Sequence, residues 1–377
     1  MKLLQISVPK GYRMLEKGFS VNLLTKTRVS GGPNPELIEL APGLPYPIET
    51  IFLGKNSSGK STVMDLFGLT LSFLFLGRLP IRVDEIPEEA FSLSVLFYEK
   101  GLVYQYRGTF SFRGNPERQY PLILEESLEK TTWKKHYKKD LSNLGFARVS
   151  SFLPNIGGDT SNLAKMFADE PRLFYADFKE APRLLPSLMG QIEDLYGLEA
   201  LDALLHLFDD SIASIRPAYE RGKMIGYAFQ RAGSCPVVMD YSALARILSQ
   251  GTLRGILLFG MSMVAFRLGG QVLVDEIERH FNRNLVEDLM GLYADPEVNK
   301  AHATIIYTTH YAELLDHGER CDNVNVLHRE GNLITLKNLN DYGIRTDLLK
   351  SNQFNQNAFD TLANFERSEA LREAIAR

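Results

Sequence analysis

The chain has 377 residues, of which 45% are hydrophobic and 23% are charged. These proportions are typical of globular proteins and exclude an intrinsically disordered chain. The net charge of -4 excludes a general attraction to nucleic acid, although it leaves room for a local basic face.

The N-terminal part of the chain predicts two strands, a helix and a hairpin. The segments "KLLQISV" and "ETIFLG" have the pattern of short strands, and the apolar segment that ends at Leu76 has that of a helix. Residues Phe91 to Phe110 alternate between apolar and polar, which predicts a hairpin with its turn at Glu99-Lys100-Gly101. These elements make up residues 1–122, the first part of the main predicted domain.

The middle of the chain, residues 123–235, is more polar and is predicted to be a mostly helical insertion. Its clearest amphipathic stretch is "IEDLYGLEALDALLHLFDDSIASI". We see no heptad repeat in it, which excludes long coiled-coil arms.

Residues 236–340 predict helices and strands in alternation. A helix from Thr252 to Leu268 precedes the strand "QVLVDE", and the helix "NLVEDLMGLYAD" precedes the strand "ATIIYTTH". This order predicts parallel strands in an α/β layer. The remaining residues, 341–377, form a tail that is predicted to end in a short exposed helix, "ERSEALREAIAR".

No segment predicts export or a membrane span. "MKLLQISVPKGYR" lacks the features of a secretory signal, so we expect a cytoplasmic protein. The apolar runs Leu66 to Leu76 and Gly255 to Phe266 are shorter than the ~20 residues of a spanning helix, which favours buried helices. Cys235 and Cys321 lie far apart without metal-ligand spacing, which favours reduced thiols.

A glycine-rich stretch, "FLGKNSSGKST", lies between the second strand and the first helix. It fits G-x-x-x-x-G-K-[ST], in which backbone N–H groups wrap phosphate oxygens and the following helix points its positive end at them. Lys60 would reach the β- and γ-phosphates, and the Ser61 hydroxyl would bind Mg²⁺. We predict that the nucleotide is bound by Gly54, Lys55, Asn56, Ser57, Ser58, Gly59, Lys60, Ser61 and Thr62.

Two acids follow the strand of "QVLVDEIE", where a phosphate loop needs a metal-holding group. Asp275 is predicted to hold Mg²⁺ through water, and Glu276 to polarise the attacking water. We expect Glu278 to be a solvated or salt-bridged side chain without a catalytic role.

"LSQGTLRG", from Leu248 to Gly255, predicts a second anion site at a helix start. Because one nucleotide already has its phosphate loop, this site is predicted to face the γ-phosphate that another copy of the chain holds. Read alone, the same residues are typical of a plain helix N-cap with Ser249 or Thr252 as the capping residue.

His310 ends the strand "ATIIYTTH", where its side chain can reach the γ-phosphate. We predict that it senses the nucleotide or holds the water in line. The other histidines show no such context.

The four motifs "GKNSSGKST", "LSQGTLR", "VLVDEIE" and "TTHYAELLD" stand in one order that resembles ABC-type P-loop ATPases. Within that class the chain is similar to the SMC/RecF/OLD branch, which includes many prokaryotic phage-defence ATPases. "NRNLVEDLMGLYADPEVN" and "THYAELLD" are similar to the ATPase subunit of the PARIS phage-defence system. The fold that this implies is an α/β P-loop NTPase head with a mixed central sheet, an antiparallel subdomain and a helical insertion.

The resemblance implies an ATPase that uses ATP and Mg²⁺ and forms ATP-sandwiched homodimers. It assigns Glu276 to hydrolysis and His310 to switching, with Ser249 and Gly251 acting on the nucleotide of the partner copy. It further implies a Mg²⁺-sensing glutamine, for which Gln105 is the nearest candidate, and a nucleotide contact from Arg13. Many relatives have His-Pro soon after the two acids, whereas Asn282 and Arg283 occupy the equivalent stretch here.

Three functions are compatible with these motifs. The first is a sensor ATPase that regulates a separate effector, such as a nuclease or toxin-like protein, since the chain shows neither arms nor a nuclease domain. The second is a DNA-binding repair or recombination ATPase, for which "WKKHYKKD", Trp133 to Asp140, offers lysines and aromatic rings. This run is also typical of a solvated helix face. The third, a transporter subunit, is disfavoured because Ile277 replaces the usual proline after the acids.

Overall fold

The computed structural model describes residues 1–27, 34–86, 90–112, 119–134, 144–167, 173–175, 181–279, 283–343, 348–359, 369 and 372–375. Its strands are β1 Lys2–Val8, β2 Phe19–Asn22, β3 Leu37–Ala41, β4 Leu44–Pro47, β5 Glu49–Leu53, β6 Phe91–Glu99, β7 Leu102–Ser111, β8 Leu122–Thr132, β9 Ala147–Arg148, β10 Leu173–Tyr175, β11 Ile212–Glu220, β12 Lys223–Arg231, β13 Val237–Met239, β14 Gln271–Val274, β15 Thr304–Thr309, β16 Val324–Glu330 and β17 Leu333–Asn338. Its α-helices are α1 Lys60–Leu76, α2 Leu163–Met166, α3 Ala181–Tyr196, α4 Leu198–Phe208, α5 Tyr241–Ile247, α6 Gln250–Leu268, α7 Arg283–Ala294 and α8 Lys350–Asn355. Short 3₁₀ turns lie at Val83–Glu85, Ala312–Asp316 and Leu339–Tyr342.

A mixed sheet with the strand order β10-β14-β15-β5-β16-β17 holds the predicted motifs. The first five strands in this order are parallel, and β17 pairs with β16 in the antiparallel direction. Every residue of β5, β14 and β15 is buried, as expected for parallel strands that are covered on both faces. The parallel pairing predicted from the helix–strand order is confirmed.

The N-terminal strands form a second, antiparallel sheet with the order β2-β1-β6-β7-β8-β9. The predicted hairpin is confirmed, because β6 and β7 pair from Phe91↔Phe110 to Glu99↔Leu102. Lys100 and Gly101 form the turn with φ values of 48° and 83°. Two successive residues with positive φ match the right-handed twist of a hairpin.

The mostly helical insertion predicted for residues 123–235 is wrong for a large part of its length. Residues Leu122–Thr132 form β8, and Ile212–Glu220 pairs with Lys223–Arg231 in an antiparallel hairpin. The segment of β8 looks polar because one of its faces is exposed and because Glu126 is buried in it. The Glu126 carboxylate accepts hydrogen bonds from the Tyr106 hydroxyl at 3.0 Å, the Asn155 N–H at 2.6 Å and the Ser161 hydroxyl at 2.7 Å.

The amphipathic stretch of the middle region forms the end of α3 and all of α4, and both helices pack on α6. Its last residues, from Ile212 onward, belong to β11 instead. A Cβ on Gly255 of α6 would lie 2.1 Å from the Phe208 ring, and one on Gly260 would lie 3.0 Å from Leu188 and Ile192. These two glycines let α3 and α4 approach the backbone of α6. Among the described residues, α6 alone has the length and composition of a membrane span, but 67% of its most apolar 18-residue window is buried within the protein. The predicted buried helix is confirmed.

The tail is described only in part. After α8, the described residues include a helical segment at 372–375. The rest of the predicted terminal helix lies outside the described residues.

Candidate functional site

The phosphate loop, defined here as Gly54–Ser61, connects the end of β5 to the start of α1. Glycine is required at both ends of it. A Cβ on Gly54 would lie 2.3 Å from the Ser58 hydroxyl, and one on Gly59, whose φ is 103°, would lie 2.4 Å from Ile334. No side chain caps α1 at Gly59, so the first N–H groups of the helix remain available to an anion.

Lys60 lies over this loop. Its ammonium donates hydrogen bonds to the carbonyl oxygens of Gly54 and Lys55, each at 2.9 Å, and the residue is 5% exposed. Burial lowers the pKa of Lys60, and the negative charges of Asp275, Glu276 and Glu278 oppose that shift. A buried cation on a cradle of main-chain groups is the arrangement that recognises the phosphates of a nucleotide.

Asp275 joins the loop to the sheet. The Ser61 hydroxyl donates to Oδ2 of Asp275 at 2.7 Å, and the Thr308 hydroxyl donates to its Oδ1 at 2.6 Å. The two residues that the sequence predicts to hold a metal, Ser61 and Asp275, are thus brought together across 214 residues. Their role as metal ligands stays a prediction.

The donors present fit Mg²⁺ rather than a transition metal. Serine, threonine and carboxylate oxygens are hard ligands, and Mg²⁺ is usually held by one or two carboxylates together with substrate phosphates. In the described part of the chain, no group of three or more His, Cys, Asp or Glu side chains is placed to hold a metal by itself. The buried Ser58 hydroxyl in the loop has no hydrogen-bond partner among the described atoms, as expected of a donor that serves a ligand.

Glu276 has a backbone conformation that residues other than glycine rarely adopt, with a φ of 52°. Its N–H donates to the Thr308 hydroxyl at 2.6 Å. The carboxylate lies between two basic groups, with Oε1 at 3.8 Å from His310 Nε2 and Oε2 at 3.3 Å from Arg279 Nη1. Such outliers concentrate at active sites, and this one turns the predicted general base toward the predicted switch histidine.

The strand order explains why these motifs meet. β15 lies between β5 and β14, with Thr309 in register with Leu53 and Tyr307 in register with Val274. The carboxyl ends of parallel strands share one edge of the sheet, where α/β proteins bind their ligands. Residues that follow the three strands therefore lie together.

The helix start at Ser249 is built as an N-cap. The Ser249 hydroxyl accepts a hydrogen bond from the Thr252 N–H at 2.9 Å, and Ser249 is exposed. No hydrogen bond between described residues joins Ser249 or Gly251 to the phosphate loop of the same chain. The role of these two residues at a partner's nucleotide stays a prediction.

Arg13 lies beside α1. Its guanidinium pairs with Asp65, which follows Ser61 by one helical turn, and with Glu85. Burial by itself would lower the pKa of Arg13, but the hydrogen bonds with Glu85 and Asp65, together with the charge of Asp65, raise it overall. Asp65 and Glu85 thus hold Arg13 near the loop, and its contact with nucleotide stays a prediction.

Gln105 is not at the edge where Ser61 and Asp275 meet. It lies in β7 of the antiparallel sheet, opposite Leu96 and Glu129, and its side-chain oxygen accepts from Arg107 at 2.6 Å. A sheet position fixes the backbone on both sides, so Gln105 cannot behave as a mobile loop residue. Its predicted role as a metal sensor is not supported by this placement.

Two residues of the site were missed. Thr308, a polar residue in the apolar strand "ATIIYTT", links Asp275 with Glu276 and was a recognisable signal in the sequence. Glu278 was expected to be solvated or salt-bridged, but it is 8% exposed and its Oε1 accepts from the His310 N–H at 2.6 Å. The expected solvation or salt bridge is therefore wrong, because Glu278 faces the end of β15 rather than solvent. The expected absence of a catalytic role stays a prediction.

The basic run after β8 is described only at its start. Trp133 is 8% exposed and its indole N–H donates to the Pro42 carbonyl at 3.2 Å. The ring is therefore not available for stacking on a base, contrary to the prediction for DNA binding. Residues 135–140 lie outside the described residues.

A cavity of about 260 Å³ lies elsewhere, between α7 and the segment that follows β15. Its lining includes Glu36, Glu49, Glu287 and His317 and contains no residue of the phosphate loop.

Comparisons with known proteins give a remote likeness. No family model and no curated protein matches the chain. Among solved structures, an SMC head domain from Thermotoga maritima has 12% identity over 90% of this chain and 99% of that chain, with a TM-score of 0.39. An SmcHead bound to the C-winged helix domain of ScpA has 12% identity over 90% and 98% of the two chains, with a TM-score of 0.47. Similarities of this size establish neither a family nor an activity for this chain.

Proposed function

We propose that this protein is an ABC-type ATPase that binds ATP with Mg²⁺ and hydrolyses it to ADP and phosphate. The observation that carries the proposal is the 2.7 Å hydrogen bond between the Ser61 hydroxyl and Asp275 Oδ2. It joins the residue after the phosphate-loop lysine to the first acid after β14. These are the two protein groups that hold Mg²⁺ in P-loop NTPases.

The chain's own residues supply binding and proton transfer. Main-chain N–H groups of the phosphate loop and the Lys60 ammonium bind the β- and γ-phosphates. Ser61 and Asp275 would hold Mg²⁺, which neutralises charge that develops on the phosphate oxygens. Glu276 Oε1 accepts the proton of the attacking water, and His310, 3.8 Å from that oxygen, orients the water.

We propose further that two copies enclose each ATP and that the dimer regulates a separate effector in defence against phage. Ser249 is exposed at the start of a 19-residue helix, where free N–H groups and the helix dipole favour an anion. In this scheme Ser249 and Gly251 of one copy close over the γ-phosphate that the other copy holds. A nuclease or toxin-like reading frame beside the gene would support the effector role.

The alternative is a DNA-binding ATPase of the RecF or SMC kind. It depends on the lysine-rich run Trp133 to Asp140, most of which lies outside the described residues. Salt-dependent binding to duplex DNA that is lost on substitution of the four lysines 134, 135, 138 and 139 would favour it.

The ATPase proposal is tested by measuring phosphate release with ATP and Mg²⁺, with EDTA, and in Ser61→Ala. We expect turnover in the wild type that EDTA abolishes and that Ser61→Ala lowers. Ser242→Ala, an exposed serine on α5, is the matched control. Turnover that is independent of Mg²⁺ or unchanged in Ser61→Ala would contradict the proposal.

A further inference from the structure

Glu278 is a buried acid for which the proposed mechanism has no use. It is 8% exposed, and its Oε2 has no hydrogen-bond partner among the described atoms. Buried carboxylates are normally paired or fully hydrogen-bonded, and those that are not call for a functional explanation.

The other carboxylate oxygen of Glu278 has a hydrogen-bond partner. Glu278 Oε1 accepts the His310 N–H at 2.6 Å, a short distance for an N–H···O hydrogen bond. His310 follows the last residue of β15, so its N–H lies where the strand ends. The acid therefore holds the main chain at the point where the switch histidine leaves the sheet.

Three more hydrogen bonds join the same two segments. The N–H groups of Glu276 and Ile277 donate to the hydroxyl and the carbonyl of Thr308, at 2.6 and 3.0 Å. The Thr308 hydroxyl donates to Asp275 at 2.6 Å. We call these four hydrogen bonds the acid–switch clasp; Glu278 supplies the part of it that reaches His310.

We propose that Glu278 is a positioning residue for ATP hydrolysis, which acts through the main chain of His310 and does not itself touch the nucleotide. It fixes the His310 imidazole beside Glu276, whose unusual backbone conformation is held by the other end of the clasp. This proposal rests on the ATPase function proposed above. Small displacements of groups that orient a reacting water are costly to the rate.

The first test uses steady-state kinetics. Glu278→Ala and the bulkier Glu278→Leu, both of which remove the acceptor, should lower kcat about tenfold with KM changed less than about twofold. Glu278→Gln keeps an acceptor oxygen and should restore most of the lost turnover. Glu313→Ala, an exposed acid three residues after His310, is the matched control.

A double-mutant cycle separates action through His310 from direct action. In a His310→Ala background, adding Glu278→Ala should lower kcat by less than about twofold, because its target is already gone. A further tenfold loss, a rise in KM alone, or Glu278→Gln as impaired as Glu278→Ala would overturn the proposal.

Hydrogen exchange without nucleotide tests the clasp independently of activity. The His310 amide should be protected in the wild type and in Glu278→Gln, and should exchange at least about tenfold faster in Glu278→Ala. Equal exchange in all three would overturn the inference, whatever the ATPase rates. If Glu278→Ala loses this protection but the wild-type protein never hydrolyses ATP, the proposed function and the role of Glu278 in hydrolysis would both be refuted. Glu278 would then remain an anchor of β15.

Discussion

The two halves of the proposed nucleotide site differ in how complete they are in one chain. The half formed by the phosphate loop and the acids is assembled, with Ser61 bound to Asp275 and Glu276 bound to Thr308. The half at the start of α6 is an exposed helix cap in which Ser249 bonds to Thr252 of its own helix. On the proposed function, the difference predicts that one copy binds nucleotide and that closure over it requires a second surface.

The physical origin of the difference is the sheet. Buried parallel strands β5, β14 and β15 fix the ends from which Gly54, Asp275 and His310 follow. The start of α6 has no such support, and Ser249 and Gln250 are both exposed.

The largest effect is expected from Lys60→Ala, which removes the cation from the assembled half. Affinity for a fluorescent ATP analogue should fall roughly 100-fold, which corresponds to about 3 kcal/mol. Fluorescence titration measures this, with Lys223→Ala at the exposed start of β12 as the control. Unchanged affinity would show that the loop is not the nucleotide cradle.

Glu276→Gln should separate binding from chemistry within the same half. Loss of the general base should reduce kcat about 100-fold or more, while ATP affinity stays within about threefold of the wild type. Phosphate release and nucleotide titration, run on the same preparation, measure the two. We also expect the variant to accumulate an ATP-bound dimer; undiminished turnover would remove Glu276 from its role.

Ser249→Arg tests the incomplete half. The bulky cation at the exposed cap should block ATP-induced dimers, while each monomer still binds ATP with affinity changed less than about threefold. Light scattering after gel filtration in the presence of ATP measures the dimer. The proteins compared also carry Glu276→Gln, which prevents hydrolysis. Ser242→Arg on neighbouring α5 is the control, and normal dimers in Ser249→Arg would refute the assignment in trans.

Glu49 lies at the far end of β5 and begins the strand that leads to the loop. Burial raises the pKa of the Glu49 carboxyl to about 7, although it accepts a hydrogen bond from Tyr307 at 3.1 Å. Because the folded protein holds this proton more tightly than the unfolded chain, the contribution of Glu49 to stability is full below about pH 4.5. It is lost as the pH rises toward the folded-state pKa of about 7.

Between pH 5 and pH 8, the free energy of unfolding should therefore decrease less in Glu49→Gln than in the wild type, by about 3 kcal/mol at most. Urea unfolding at both values measures the change, with the exposed Glu220→Gln as the control. An undiminished fall in Glu49→Gln would exclude Glu49 as its source. ATP binding by the folded variant should be unaltered, which separates the stability of β5 from the chemistry at its other end.

The assembled half was largely predictable from the sequence. "GKNSSGKS" follows one predicted strand, and the two acids of "VLVDE" follow another. The glycine–lysine–serine spacing is typical of a phosphate loop, so the two motifs together predict where the site lies and which side chains meet there. The parallel pairing followed from the helix–strand order. The contacts of Thr308 and Glu278 were not predictable in this way, because they depend on which strand lies between β5 and β14, and a sequence pattern does not give that order.

The middle region was harder to predict. β8 carries Glu126 in its buried face, and that carboxylate is satisfied by Tyr106, Asn155 and Ser161. A buried acid breaks the alternation on which strand prediction depends. Gln105 was chosen by its distance along the chain from the loop, and only tertiary structure shows that β7 belongs to another sheet.

The hydrogen bond between Ser61 and Asp275 also has a consequence for biosynthesis. The two residues are separated by 214 positions, and ribosomes add about 5 to 20 residues per second. The first partner thus leaves the ribosome roughly 10 to 40 s before the second. During that interval the nascent chain carries a phosphate loop without the carboxylate that the proposed ATPase requires.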